Sequence, residues 1–168
     1  MKFQKTEQAP KKNRKPRPWE GKHYLYYEAI LQLRDVETEQ VDYALNILRK
    51  EKIPIPKTVE YKNGIDLYTA DSKTTKEVAK LLQKKYGGIN LVTAKLFSER
   101  DGKSIYRLTI LYRSPGFKKG DTIIYKGEPF VVKLLQEKII IQNEKTGKKV
   151  QIKCNEKGMS LIKKQIEE

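Results

Sequence analysis

The sequence predicts a two-part α+β chain, and three observations carry that expectation. Residues 106–113 alternate, with Tyr106, Leu108, Ile110 and Tyr112 on one side and Arg107, Thr109, Leu111 and Arg113 on the other, which is the two-residue period of a strand. Ser114, Pro115 and Gly116 break the pattern, because proline removes a ladder donor and glycine admits conformations that a strand residue avoids. Upstream of this break, amphipathic helical stretches are interleaved with strands; downstream there are only short apolar runs between polar turns. The expected fold class is a ferredoxin-like split βαβ sandwich over residues 23–114, then a small SH3-like β-barrel over 115–168, preceded by a basic arm over 1–22.

Taken in order, the arm is rich in Lys2, Lys5, Lys11, Lys12, Arg14, Lys15, Arg17 and Lys22 against Glu7 and Glu20 alone. Pro10, Pro16 and Pro18 discourage helix there and suit an extended segment lying along phosphates, although a disordered solubilising tail has the same composition. Trp19 is expected to anchor this arm on the folded part. A strand over 23–34 puts Leu25, Tyr27, Ala29, Leu31 and Leu33 toward the core, and a helix over 39–50, capped by Thr38, carries Val41, Ala44, Leu45 and Leu48 on one face. Residues 58–61 and 65–70 flank Asn63-Gly64, a pair suited to a type I′ hairpin. Thr74 with Glu77 reads as a capping box for a second helix carrying Val78, Leu81 and Leu82, which Gly87-Gly88 terminates as a C-cap. A strand over 90–98 then turns at Asp101-Gly102 into the strand at 106–113.

In the second part the expected strands are 122–125, 129–135, 138–142 and 149–153, with turns at Lys126-Gly127, Gln136-Glu137 and Thr146-Gly147. Leu161 and Ile162 are expected to close the barrel, and the last residues to fray.

Composition narrows the function classes. Thirty-six lysines and arginines against 21 acidic residues give a net charge of +15, which favours a polyanionic partner, nucleic acid foremost. No apolar run approaches the about 18 residues of a spanning helix, and no signal-peptide core is present, so a cytoplasmic protein with no membrane partner is expected. Cys154 and His23 are each single, which leaves no intrachain disulfide and no Cys/His zinc site. They also leave no Ser/His/Asp or Cys/His catalytic set around His23, and no glycine-rich phosphate loop appears. Asp66 and Asp71 with Glu60 or Glu99 would be the only candidates for a magnesium-dependent nuclease, and their spacing is that of scattered surface charge.

The blocks YYEAILQLR (26–34), NGIDLYTA (63–70), the helix that follows, and YRLTILYR (106–113) passing into GDTIIY together resemble the nonsense-mediated decay protein three family, across roughly 24–153. That resemblance implies a non-catalytic protein bound to the large ribosomal subunit near its tRNA exit site. Its expected role is in late subunit assembly or in preventing premature subunit joining, as a monomer when free and without cofactor or small-molecule substrate. The barrel is similar to that of the hypusine-bearing elongation factor, although Lys145 to Lys149 does not match the hypusine loop and reads as a basic turn. Family members ordinarily carry Cys-x-x-Cys zinc modules upstream and, in eukaryotes, a long C-terminal extension with nuclear export signals. This sequence has neither, as expected for the short archaeal type, and export is not inferred.

The candidate phosphate-binding residues are Lys11, Lys12, Arg14, Lys15 and Arg17 in the arm and Lys118, Lys119, Lys126, Lys145, Lys148 and Lys149 in the barrel turns, which would converge into one patch. Arg34, Arg107 and Arg113 either face RNA from the open side of the sheet or pair across strands with a carboxylate such as Glu28. Tyr24, Tyr26, Tyr106 and Tyr112 are expected in the core rather than on a stacking platform, since the aromatic glycine-rich signature of RNA-binding sheets is absent. A permanent ribosomal protein remains the rival binding class, and an RNA-processing enzyme the rival beyond it.

Overall fold

The computed structural model describes residues 15–164. Its order is β1 (Ala29–Arg34), α1 (Thr38–Lys50), β2 (Lys57–Tyr61), β3 (Gly64–Thr69), α2 (Ser72–Tyr86), β4 (Ile89–Arg100), β5 (Lys103–Arg113), β6 (Thr122–Tyr125), β7 (Glu128–Leu135), β8 (Lys138–Gln142), β9 (Lys149–Lys153), α3 (Glu156–Ser160) and β10 (Ile162–Lys164). These form two five-stranded sheets, ordered β2-β3-β1-β5-β4 and β10-β6-β7-β8-β9. The class is α+β. All pairings are antiparallel except that of β1 with β5.

The parallel β1–β5 pair decides the topology of the first sheet. In a four-stranded split βαβ unit the strand after the second helix lies beside the first; here β5 takes that place and β4 is displaced to the edge. Strand β5 buries Ile110 and Tyr112 under the helices from its inner position, whereas β4 past Ile89 is exposed at most of its positions and forms the edge. Helices α1 and α2 cover one face, burying Ala44, Leu48, Val78, Ala79 and Leu82 against Ala29, Leu31, Leu33, Leu67, Ile110 and Tyr112. The large aliphatic side chains of this core, each worth roughly 1.5–3 kcal/mol when taken from water, are the main stabilising term of this half.

Several local expectations are corrected. Residues 23–28 are not strand: the Tyr26 amide donates to the His23 carbonyl (2.9 Å) and the Leu25 amide to His23 Nδ1 (3.2 Å), closing a turn that leaves Leu25 exposed. Helix α1 is capped by Glu37, one residue earlier than expected, in a capping box with Gln40. Helix α2 is capped by Asp71, whose carboxylate accepts from the Thr74 amide at 2.8 Å, so Thr74 is inside the helix and not its cap. Between β2 and β3 the turn residues are Lys62 and Asn63, neither with positive φ, so the type I′ geometry expected there is absent. It occurs instead at Asp101-Gly102 (φ 52° and 70°) and Lys126-Gly127 (φ 50° and 82°). Gly64 is needed for another reason: a Cβ there would lie 1.8 Å from the Leu33 carbonyl oxygen.

In the second sheet the expected strands appear with β7 beginning at Glu128, and Phe117, Ile123, Phe130, Val132, Ile139, Ile141 and Ile152 form its core. Ile162 packs on this core, but Leu161 is about half exposed, so only one of the two expected closing residues serves. The two sheets meet at Gly87. A Cβ at this left-handed position (φ 74°) would come 2.5 Å from Leu135 Cδ1 of β7, and its carbonyl accepts from Tyr112 Oη at 2.9 Å. The glycine therefore both caps α2 and admits the second sheet, a close approach that the sequence pattern did not reveal.

Candidate nucleic-acid interface

Strand direction determines which basic residues the fold gathers. Strands β6 and β8 run the same way, because each is antiparallel to β7, so the turn after β6 and the loop after β8 lie at one end of the second sheet. Lys126, Lys145, Lys148 and Lys149 are collected there. Asn143 organises the loop: its Oδ1 accepts from the Lys145 and Thr146 amides (2.9 and 3.2 Å), and its Nδ2 donates to Glu128 at 3.2 Å.

Lys118 and Lys119 precede β6 and are at the opposite end, so the lysines expected together in the second part do not converge into one patch. Lys118 Nζ lies 3.2 Å from Glu37 Oε2 across a cleft between the sheets. That cleft sets Lys85, Lys118, Lys119 and Lys164 against Asp35, Glu37, Glu39 and Asp121, and balanced charge gives phosphate no preference. Lys11, Lys12 and Arg14 lie outside the described residues. Lys15 is exposed, whereas Arg17 donates to the Glu51 carbonyl (3.1 Å) and sits 5.4 Å from the Trp19 ring, which packs on the first core.

The face of the first sheet opposite the helices holds the three arginines named with the sheet. Arg34 pairs across strands, but with Asp66 at 2.7 Å rather than with Glu28, and lies 4.8 Å over Tyr61. Glu28 is engaged by Tyr26 Oη (2.8 Å) and the Ser72 amide (3.2 Å). Burial, then the bond to Glu28, pushes the Tyr26 hydroxyl up to about 12. Arg113 is 3.7 Å from Asp35, both side chains about half exposed. Arg107 instead lies 4.0 Å over the Tyr27 ring and 3.5 Å over the Phe97 ring. Of the four tyrosines expected in the core, Tyr112 is buried; Tyr24 and Tyr106 are exposed and Tyr26 is intermediate. Tyr27, expected on the core face, meets Tyr68 edge-on at 4.9 Å on the open face, because residues 26–28 no longer follow strand alternation. The adjacent apolar pair Leu96-Phe97 was the available signal of apolar exposure on β4, and both side chains are about half exposed.

Among the described residues no group of three His, Cys, Asp or Glu is placed to hold a metal. Burial pushes the Cys154 thiol up, away from the thiolate that nucleophilic chemistry requires. No helix among these residues is long and apolar enough to cross a membrane.

A family model described as NMD3, second domain, matches residues 26–113, a little over half of the 168 residues. The match begins beside β1 and ends on the last residue of β5, so it takes in the whole first sheet with its two helices. The chain belongs to the NMD3 family. No curated protein matches the chain. The NMD3 family is associated with ribosomal subunit assembly and export and with the large ribosomal subunit, as a ribosome-associated adaptor. In this NMD3-family chain the second sheet, with its lysine-rich end, lies outside the matched residues.

Proposed function

We propose that this chain binds the large ribosomal subunit through ribosomal RNA, near the tRNA exit site, without catalysis, and acts in late assembly or in preventing premature subunit joining. The observation that carries this reading is the NMD3 match across the first sheet. The net charge of +15 and the four lysines at one end of the second sheet support it, because phosphate contacts give affinity without needing sequence readout. Residues 23–114 are read as a split βαβ domain of ferredoxin-like type with one added strand, and residues 115–168 as an SH3-like domain. Lys11, Lys12, Arg14 and Lys15 of the arm and Lys126, Lys145, Lys148 and Lys149 are assigned to ribosomal RNA phosphates. The mechanism is occupancy: the two domains fill space that a tRNA or the small subunit would otherwise take.

The test is co-sedimentation of the purified chain with purified large subunits at rising salt. Bound fraction should fall steeply with salt. Replacing Lys126, Lys145, Lys148 and Lys149 by glutamine should weaken binding and flatten the log–log salt dependence by a little under one for each phosphate no longer neutralised. Binding that ignores both salt and these substitutions would remove the phosphate assignment.

A further inference from the structure

Strands β4 and β5 outrun the sheet that holds them. The β1–β5 ladder ends at Ala29 opposite Leu108, whereas β4 and β5 stay paired from Lys95 opposite Arg107 to Arg100 opposite Lys103. A free two-stranded hairpin therefore projects by roughly 17 Å at about 3.4 Å per residue. At its root the register shifts between Leu96 and Ser98, which leaves Phe97 as the bulged residue with no cross-strand partner.

The bulge aims Phe97 at Arg107. Two rings within 4.0 Å of one guanidinium carbon cannot share a side of that planar group, so Arg107 is held between Phe97 and Tyr27. Tyr27 continues edge-on to Tyr68 at 4.9 Å, and Lys57 Nζ lies 5.0 Å from the Tyr68 ring. The result is a ladder of cations and rings across the width of the first sheet, on the face away from the helices. Phe97 is its outermost ring and is 55% exposed. Among the described residues no carboxylate is within ion-pair reach of Arg107. The only carboxylate among the strand residues of that face, Asp66, is held by Arg34, and Arg113 is paired with Asp35, while Lys57, Lys95 and Arg107 add positive charge.

A flat exposed ring backed by a fixed guanidinium and flanked by cations suits a flat ligand with an anionic linker. We propose that this face, centred on Phe97 and Arg107, binds an unpaired base of single-stranded RNA, stacked on the exposed side of Phe97, with Lys95 and Lys103 taking the flanking phosphates. Bases in a duplex are already stacked on one another, so a bare ring selects an unstacked base. The inference rests on the RNA-binding reading above for its strand, and adds base recognition to a surface distinct from the lysine end of the second sheet.

The test is fluorescence anisotropy of the full chain with a short labelled single-stranded RNA, and with an RNA duplex of equal length. Wild type should bind the single strand in preference. Phe97→Leu keeps an apolar side chain without an aromatic face, and should weaken single-strand binding by about tenfold, leaving duplex binding and the salt slope unchanged, since base stacking carries this contact and a neutral ring releases no counterion. Phe97→Trp should retain wild-type affinity. Far-ultraviolet circular dichroism checks that both variants fold. Equal affinity of Phe97→Leu and wild type overturns the proposal, as does equal preference for the duplex. It is likewise overturned, in favour of a protein partner, if Phe97→Leu weakens binding to purified large subunits but not to the short RNA. Phe97-dependent binding of single strands without any binding to large subunits supports this site while refuting the ribosomal assignment, so the two readings fail separately.

Discussion

Removing both members of the Arg34–Asp66 pair should cost clearly less than the two single losses added together. Asp66 is almost fully enclosed, with its side chain 6% exposed, and Arg34 is 15% exposed, so neither group is hydrated as a surface ion would be. Arg34→Met leaves the Asp66 carboxylate with only the Gln32 amide at 3.4 Å, a weak replacement for a 2.7 Å charged contact. The expected loss is about 3–4 kcal/mol, within the range for stranding one charge of a buried pair. Asp66→Ala should cost less, about 2 kcal/mol, because an uncompensated charge is expensive but Arg34 retains the Leu33 carbonyl at 3.0 Å and the Tyr61 ring at 4.8 Å. The double variant strands nothing, so its loss should fall short of the summed single losses by about 2 kcal/mol. Urea denaturation followed by circular dichroism gives each free energy, with an unchanged m-value as the check on two-state comparison. Additive losses, with a coupling below about 0.5 kcal/mol, would mean that the pair behaves as a solvated surface ion pair, and would refute the reasoning.

Tyr112→Phe should lower stability by about 1–2 kcal/mol in the same assay, because the Gly87 carbonyl loses its donor at the junction of the sheets. Gly64→Ala should cost more than about 3 kcal/mol or prevent folding, since its Cβ meets backbone that cannot rotate away. The Tyr26 hydroxyl, raised to about 12, keeps its proton in the folded chain after the unfolded chain has lost it. Its contribution is complete below the unfolded value near 10 and lost as pH rises toward 12. Tyr26→Phe should therefore flatten the alkaline fall in melting temperature between those limits. Cys154, buried and with its thiol raised by that burial, should react with Ellman's reagent at mildly alkaline pH only after unfolding, and prompt reaction of the native chain would contradict its enclosure.

Where a residue's environment was set by its own neighbours, the sequence was informative. Alternation located β5, and the glycine-containing pairs Asp101-Gly102 and Lys126-Gly127 marked tight hairpins. Alternation failed at residues 23–28 because a strand also needs a neighbour to pair with. The Glu28 amide bonds to the Thr69 carbonyl, where β3 ends, and nothing on that side continues the ladder. The helix starts moved because Glu37 and Asp71 outcompeted the nearby threonines as caps, a choice set by the turn geometry entering each helix. The lysine patch was misjudged for a simpler reason. Lys118 and Lys119 lie before β6 and Lys126 after it, so a four-residue strand of about 13 Å keeps them at opposite ends. The ladder ending at Phe97 depends on a bulge and on packing between β4, β5 and the segment before β1, none of which a one-dimensional pattern encodes.

The most direct test of the ribosomal assignment is to fractionate cell lysate on a sucrose gradient and locate the chain among free large subunits, whole ribosomes and polysomes. The account predicts enrichment on free large subunits that disappears as salt is raised. Equal presence through the polysomes would identify a permanent ribosomal component, and absence from every ribosomal fraction would contradict the assignment altogether.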